Sequence, residues 1–149
     1  MDKTNDKASD KANLYSDFTG VFELIADDFN LKKQPKLRLP KEKVQSDYPE
    51  IIHPDFKKLG SGLIFFYAPW CGHCRQMVQP MSELAIQFKY IFPIGAINCE
   101  NEANHSLCNS FKIEGFPTIF QKNADNTFSL YTGDRSKDAL LKFIYQYTL

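Results

Sequence analysis

The chain has 149 residues, 43% of them apolar and 13 of them phenylalanine, which can fill one hydrophobic core and is short for several independent domains. Lysine plus arginine and aspartate plus glutamate each number 18, so no net field draws the chain to nucleic acid or to a membrane surface. The longest apolar stretch, Leu63 to Ala68, falls far short of a spanning helix, and no membrane span is expected.

Residues 1–17 are mostly Lys, Asp, Asn, Ser and Ala, with almost nothing to bury; a flexible N-terminal tail is expected there, ahead of one domain over 18–149. Val21 to Ile25 is the first plausible strand. Residues 31–47 read as an insertion. Leu31 to Val44 carries six basic residues and one acidic, which suits a solvated loop or edge hairpin, or a docking surface for an acidic partner. Ile51 to Leu59 reads as a helix, interrupted or begun near Pro54 and ended by Gly60-Ser61-Gly62.

Leu63 to Tyr67 is apolar throughout, as expected of a central strand covered on both faces. A long helix from Cys71 to about Phe88 follows, with Met77, Met81, Leu84, Ala85 and Phe88 on one face at the helical period. Ile94 to Asn98 reads as a strand and Glu102 to Phe111 as a helix. Thr118 to Gln121 and Phe128 to Tyr131 read as a hairpin turned at Asn123 to Asn126. Ser136 can cap a last helix whose stripe is Leu140, Phe143, Ile144 and Tyr147. This alternation predicts an α/β fold with a mixed sheet between helices, and no internal repeat interrupts it.

The chemistry gathers at Cys71-Gly72-His73-Cys74, where the apolar strand ends and the long helix begins. Two cysteines at that spacing can close a disulfide, and the helix N-terminus favours a thiolate on the first. A zinc site would need a second pair at similar spacing, which Cys99 and Cys108 do not supply, so no metal is expected. Arg75 after Cys74 removes the c-type haem pattern. His53 and His105 are isolated and read as surface or capping residues.

Phe66-Tyr67-Ala68-Pro69-Trp70-Cys71-Gly72-His73-Cys74 resembles the active-site segment of the protein disulfide isomerase branch of the thioredoxin superfamily. The resemblance extends to Gly115-Phe116-Pro117-Thr118 and Gly133-Asp134-Arg135-Ser136, and is good from about Phe56 onward. It implies a thioredoxin fold and a thiol-disulfide oxidoreductase whose redox centre is the Cys71/Cys74 disulfide, with no further cofactor. Cysteine-containing polypeptides are the implied substrates, and glutathione or a thiol oxidase the implied redox partner. Cys71 is then the exposed attacking sulfur and Cys74 the shielded resolving one, with Trp70, Gly72, Phe116 and Pro117 shaping the substrate surface. His73 either stabilises the Cys71 thiolate by hydrogen bond or charge, or is an exposed turn residue. The first role favours an oxidising protein: thioredoxin and the isomerase differ by about 90 mV, roughly 4 kcal/mol for two electrons. Phe116-Pro117 resembles the superfamily's cis-proline, the plain alternative being a trans proline that starts a strand. Arg135 matches an arginine thought to approach the resolving cysteine, or is a surface cation. Cys99 and Cys108 echo a second, non-catalytic pair found in some relatives; a possible second disulfide, two buried thiols and a regulatory pair all stay open.

Two departures stand out. Where isomerase domains carry a buried glutamate and lysine, this chain has Phe65 and Ala96. Replacing both partners leaves the fold intact but removes a proton acceptor for Cys74, so slower resolution is expected, with more dependence on Arg135 or water. Pro80 sits one place later than the usual helix-kinking proline. Met1 to Lys7 lacks the apolar segment of a secretory signal, and Tyr147-Thr148-Leu149 is no part of a retention tetrapeptide. A cytoplasmic or virion location is therefore expected, since large DNA viruses carry stand-alone proteins of this kind; the secretory pathway is the alternative if a targeting segment was removed. Two rival functions remain: a cytoplasmic thioredoxin-like reductase, and a chaperone or binding module whose redox centre is dispensable.

Overall fold

The computed structural model describes residues 12–15, 19–31 and 48–148. Among these, the strands are β1 (Phe22–Leu24), β2 (Phe29–Asn30), β3 (Glu50–Ile51), β4 (Gly62–Tyr67), β5 (Ile94–Asn98), β6 (Thr118–Lys122) and β7 (Phe128–Leu130). The helices are α1 (Pro54–Leu59), α2 (Gly72–Gln87), α3 (His105–Ser110) and α4 (Lys137–Thr148), with 3-10 turns at Ala26–Asp28 and Glu102–Asn104. Five strands form one sheet in the order β1-β5-β4-β6-β7, parallel across β1, β5 and β4 and antiparallel from β4 to β6 and β7. This is the expected mixed sheet between helices.

The apolar run of β4 is explained by its place at the centre. Successive side chains alternate between faces. Leu63, Phe65 and Tyr67 join Met77, Met81, Leu84, Leu140 and Ile144 under α2 and α4. Ile64 and Phe66 join Phe56, Leu107, Phe111 and Phe120 under α1 and α3. The stripe read along α2 is the buried one, Phe88 included, and Pro80 sits inside the helix. On α4, Leu140 and Ile144 are buried and Phe143 packs against them, while Tyr147 remains exposed. The Ser136 Oγ accepts from the Ala139 N–H at 3.2 Å, as a cap should.

Two expectations are corrected and a third is narrowed. The helix read over Ile51 to Leu59 begins at Pro54, the second of the two readings, with the His53 Nδ1 accepting from the Asp55 N–H at 3.2 Å, while Ile51 pairs with Phe29 across a small antiparallel ribbon and is fully buried. The helix expected over Glu102–Phe111 is a 3-10 turn followed by the shorter α3. The tail expected over residues 1–17 does not extend through Asn13–Tyr15. Tyr15 is buried against the rings of Phe65 and Tyr67, and the Asn98 side-chain amide donates to the Asn13 side-chain oxygen at 3.0 Å. The insertion read over residues 31–47 lies outside the described residues, apart from Leu31.

At the end of α1, Gly60 takes φ 86°, a conformation side chains with a Cβ disfavour. The Lys122 ammonium, buried on β6, donates to the Phe56 carbonyl at 3.1 Å and to the Gly60 carbonyl, satisfying oxygens the helix end leaves open. Cys99, just past β5, is bonded to Cys108 on α3, with Cα atoms 6.0 Å apart, so the pair left open by the sequence is a disulfide.

Candidate active site

The turn after β4 is closed by the Cys71 N–H donating to the Ala68 carbonyl at 3.0 Å. Cys71 then stands at the N-cap of α2 in an extended conformation, with its carbonyl accepting the first helical bond, from the Arg75 N–H at 3.0 Å. This placement leaves the Cys71 sulfur half-exposed at the mouth of the helix, where unpaired N–H groups converge. Cys74 is one turn further on, faces the sheet and is 2% exposed. Both are free thiols here.

Their surroundings pull the two thiols apart. For Cys71, the largest single influence is slight desolvation, which raises its pKa. Hydrogen bonds from the Cys74 backbone and thiol and from the His73 backbone, with the charge of Arg135, outweigh it and hold the group below its ordinary value. Cys74 is pushed up to about 12, first by burial and then by the hydrogen bond to Cys71 and its charge, against opposing effects of an Ala68 backbone bond and Arg135. Cys71 thus ionises more readily than an ordinary cysteine, while Cys74 keeps its proton.

His73 contributes to Cys71 through its backbone N–H, and its side chain is exposed. Gly72 is exposed with open space around it. Trp70 is 52% exposed; its Nε1 donates to Glu100 Oε1 at 2.7 Å, and its ring meets that of Phe116 edge-on at 6.0 Å. The Phe116–Pro117 peptide is cis, and the Phe116 carbonyl accepts from the Cys71 thiol at 3.8 Å. Arg135 Nη1 donates to the Pro117 carbonyl at 3.3 Å, and its charge reaches both cysteines. Of the residues singled out from the sequence, Trp70, Cys71, Phe116, Pro117 and Arg135 thus come together, with Gly72 and His73 exposed next to Cys71 and Cys74 buried one turn on, while Cys99 and Cys108 are bonded to each other. A cleft of about 380 Å³ runs beside this surface and is lined by Tyr48, Phe111, Gly115, Pro117, Tyr131 and Arg135. Among the described residues, no group of three His, Cys, Asp or Glu could hold a metal ion, and no helix is long and apolar enough to cross a membrane.

The sequence missed what lies beneath Cys74. Phe65 and Ala96 are buried, in register with one another, and Glu23 of β1 is the residue across from Ala96 on the other side. Strand alternation turns Glu23 away from Phe22 and Leu24, onto the face that holds Phe65, Tyr67 and Cys74. The Tyr67 hydroxyl donates to Glu23 Oε1, which also accepts from the Tyr15 N–H at 3.3 Å; the Leu14 N–H donates to the Tyr67 oxygen at 3.0 Å. Burial lifts the Glu23 carboxyl to about 7, despite those two stabilising hydrogen bonds. The Tyr15 hydroxyl is buried without a hydrogen-bond partner, an arrangement that costs about 1–3 kcal/mol. A lone glutamate between apolar neighbours in a strand was the available signal for Glu23; nothing in the polar opening segment marks Tyr15.

Comparison with known proteins agrees with this geometry. The family model "Thioredoxin" matches residues 41–146. A mitochondrial thioredoxin domain-containing protein of Schizosaccharomyces pombe is 36% identical over 104 residues, covering 64% of this chain and 29% of that protein. The protein disulfide-isomerase of Ricinus communis is 37% identical over 82 residues, covering 55% and 16%. The J-Trx1 fragment of ERdj5 superposes with a TM-score of 0.54 at 28% identity, covering 61% of this chain and 44% of the fragment. The chain spans less than a third of the length of these two curated relatives.

Proposed function

The chain belongs to the thioredoxin family, and on that premise we propose that it is a thiol-disulfide oxidoreductase of protein disulfide isomerase type, forming, reducing or rearranging disulfides in polypeptide substrates. The observation that carries this reading is the pair of thiols with opposed acidity, Cys71 half-exposed and held below its ordinary pKa, Cys74 buried and raised to about 12.

The Cys71 thiolate attacks one sulfur of a substrate disulfide. A new bond joins Cys71 to the substrate, and the other substrate sulfur leaves with the electron pair as a thiolate. Cys74 then loses its proton and attacks the Cys71 sulfur; the bond to substrate breaks, and the freed substrate sulfur keeps the electron pair and gains a proton. Two electrons have passed to the substrate, and Cys71 and Cys74 are joined. The reverse sequence oxidises a substrate dithiol, and glutathione or a thiol oxidase is the proposed partner that restores the pair. The exposed Trp70 and the Phe116–Pro117 segment border the attacking sulfur and are the proposed substrate surface, with Arg135 assisting Cys74 by its charge.

The test is to incubate the Cys74→Ser variant with insulin and map adducts. A reductant-sensitive bond between Cys71 and an insulin cysteine is expected, together with insulin reduction and reactivation of scrambled ribonuclease by the unaltered protein. Absence of both the adduct and turnover refutes the proposal, and titration against glutathione measures the favoured direction.

A further inference from the structure

Resolution demands that a buried thiol give up a proton in a core whose sheet face beneath it, at Phe65 and Ala96, is apolar. The same core holds two polar groups that the exchange chemistry above does not use. One is the Glu23 carboxyl, bound by the Tyr67 hydroxyl and the Tyr15 N–H. The other is the Tyr15 hydroxyl, enclosed with no partner, on a ring packed edge-on to Phe65 and Tyr67 in the cluster that contains Cys74. Tyr15 is electrostatically coupled to Cys74 and to Glu23 alike.

We propose that Glu23 is the acceptor of the Cys74 proton during resolution, reached through the Tyr15 hydroxyl and bridging water, so that the Asn13–Tyr15 segment completes the redox site. This rests on the exchange chemistry proposed above. As the Cys74 S–H bond breaks, the proton passes by way of the Tyr15 oxygen to a Glu23 oxygen. The electron pair left on Cys74 forms the bond to Cys71, and the Cys71–substrate bond releases its pair to the substrate sulfur. The Tyr15 hydroxyl bonds neither the sulfur nor the carboxylate directly, so bridging water carries the proton to and from its oxygen. Glu23 acts through another group and is a positioning residue. Its acidity near neutrality suits it to take a proton and return it over the working range. The titratable and charged groups that bear on this core, from every element packed around it, are Tyr15 itself, Tyr67 of β4, Cys71 and Cys74 at the start of α2, and Arg135 before α4; β5 presents the uncharged Ala96.

The experiment separates attack from resolution. A mixed disulfide is formed between Cys71 and a fluorescent peptide thiol, and peptide release by Cys74 is followed from pH 5 to 9 for the unaltered protein, Glu23→Gln and Tyr15→Phe. The expected result is a release rate with an inflection near pH 7 in the unaltered protein, absent in Glu23→Gln, where release at pH 8 falls about 10- to 100-fold, and a fall of at least 5-fold in Tyr15→Phe. Formation of the mixed disulfide stays within twofold in both variants. Release in Glu23→Gln within twofold of the unaltered protein, with the inflection kept, overturns the proposal while leaving the exchange reading intact. Failure of Cys71 to form the adduct at all overturns that reading and this proposal with it. If Glu23→Gln fails to fold, carbon NMR of the unaltered protein decides: the Glu23 carboxyl carbon and the Cys74 Cβ must share an inflection near pH 7, and independent titration overturns the proposal.

Discussion

Replacing Glu23 by glutamine makes a stability prediction whose sign is unusual for a carboxylate. The folded protein holds this carboxyl at about 7 against an ordinary 4.5, because burial disfavours its charge. A raised acid binds its proton more tightly when folded, so stability falls as pH rises between those two values and the penalty is complete above the upper one. Each tenfold in proton affinity is worth about 1.4 kcal/mol, so the whole penalty is about 3 kcal/mol, and between pH 5 and pH 8.5 about 2.5 kcal/mol of it develops. Glutamine retains an oxygen for the Tyr67 hydroxyl and the Tyr15 N–H but carries no charge. The stability difference between Glu23→Gln and the unaltered protein should therefore shift by about 2.5 kcal/mol in favour of the variant across that interval. Urea denaturation of both proteins, reduced, at half-unit pH steps measures it, and taking the difference cancels the titration of every other group. A difference flat to within about 0.5 kcal/mol would refute the reasoning that burial controls this carboxyl.

Alkylation of the reduced protein with iodoacetamide at pH 7 should modify Cys71 at least about a thousandfold faster than Cys74, from an acidity below 9 against one of about 12; peptide mapping with time reads the ratio, and comparable rates would contradict the assigned environments. Tyr15→Ala should cost about 3 kcal/mol in denaturant unfolding because it empties a site on the α2 face of the sheet, whereas Tyr15→Phe should change stability by no more than about 1 kcal/mol, since no protein group bonds the hydroxyl it removes. Opening the Cys99–Cys108 disulfide by a double change to serine should cost about 2.5–3 kcal/mol on chain-entropy grounds, given a separation of 9 residues, with peptide release from Cys71 unchanged within twofold.

Local signals were enough for the parts of this protein in which neighbours along the chain share a fate. The uninterrupted apolar run of β4 announced a strand buried on both faces, and the stripe from Met77 to Phe88 identified the buried side of α2, because strand and helix periods are written in consecutive residues. Cys71 and Cys74, three positions apart across a strand–helix junction, placed the proposed redox centre for the same reason. Tertiary structure decided what depends on pairing. Ile51 became a strand only because Phe29 lies beside it, and Cys99 found Cys108 because the end of β5 runs next to α3. Tyr15 is buried by a segment whose own composition is polar. The buried carboxyl of β1 arose from register: β1 sets Glu23 against Ala96, whose small side chain lies opposite Phe65, while Tyr67 supplies the hydroxyl that holds it. Such cross-strand neighbours are far apart in sequence, and the free energy that places them comes from burial shared by the whole sheet, which no single stretch of residues encodes.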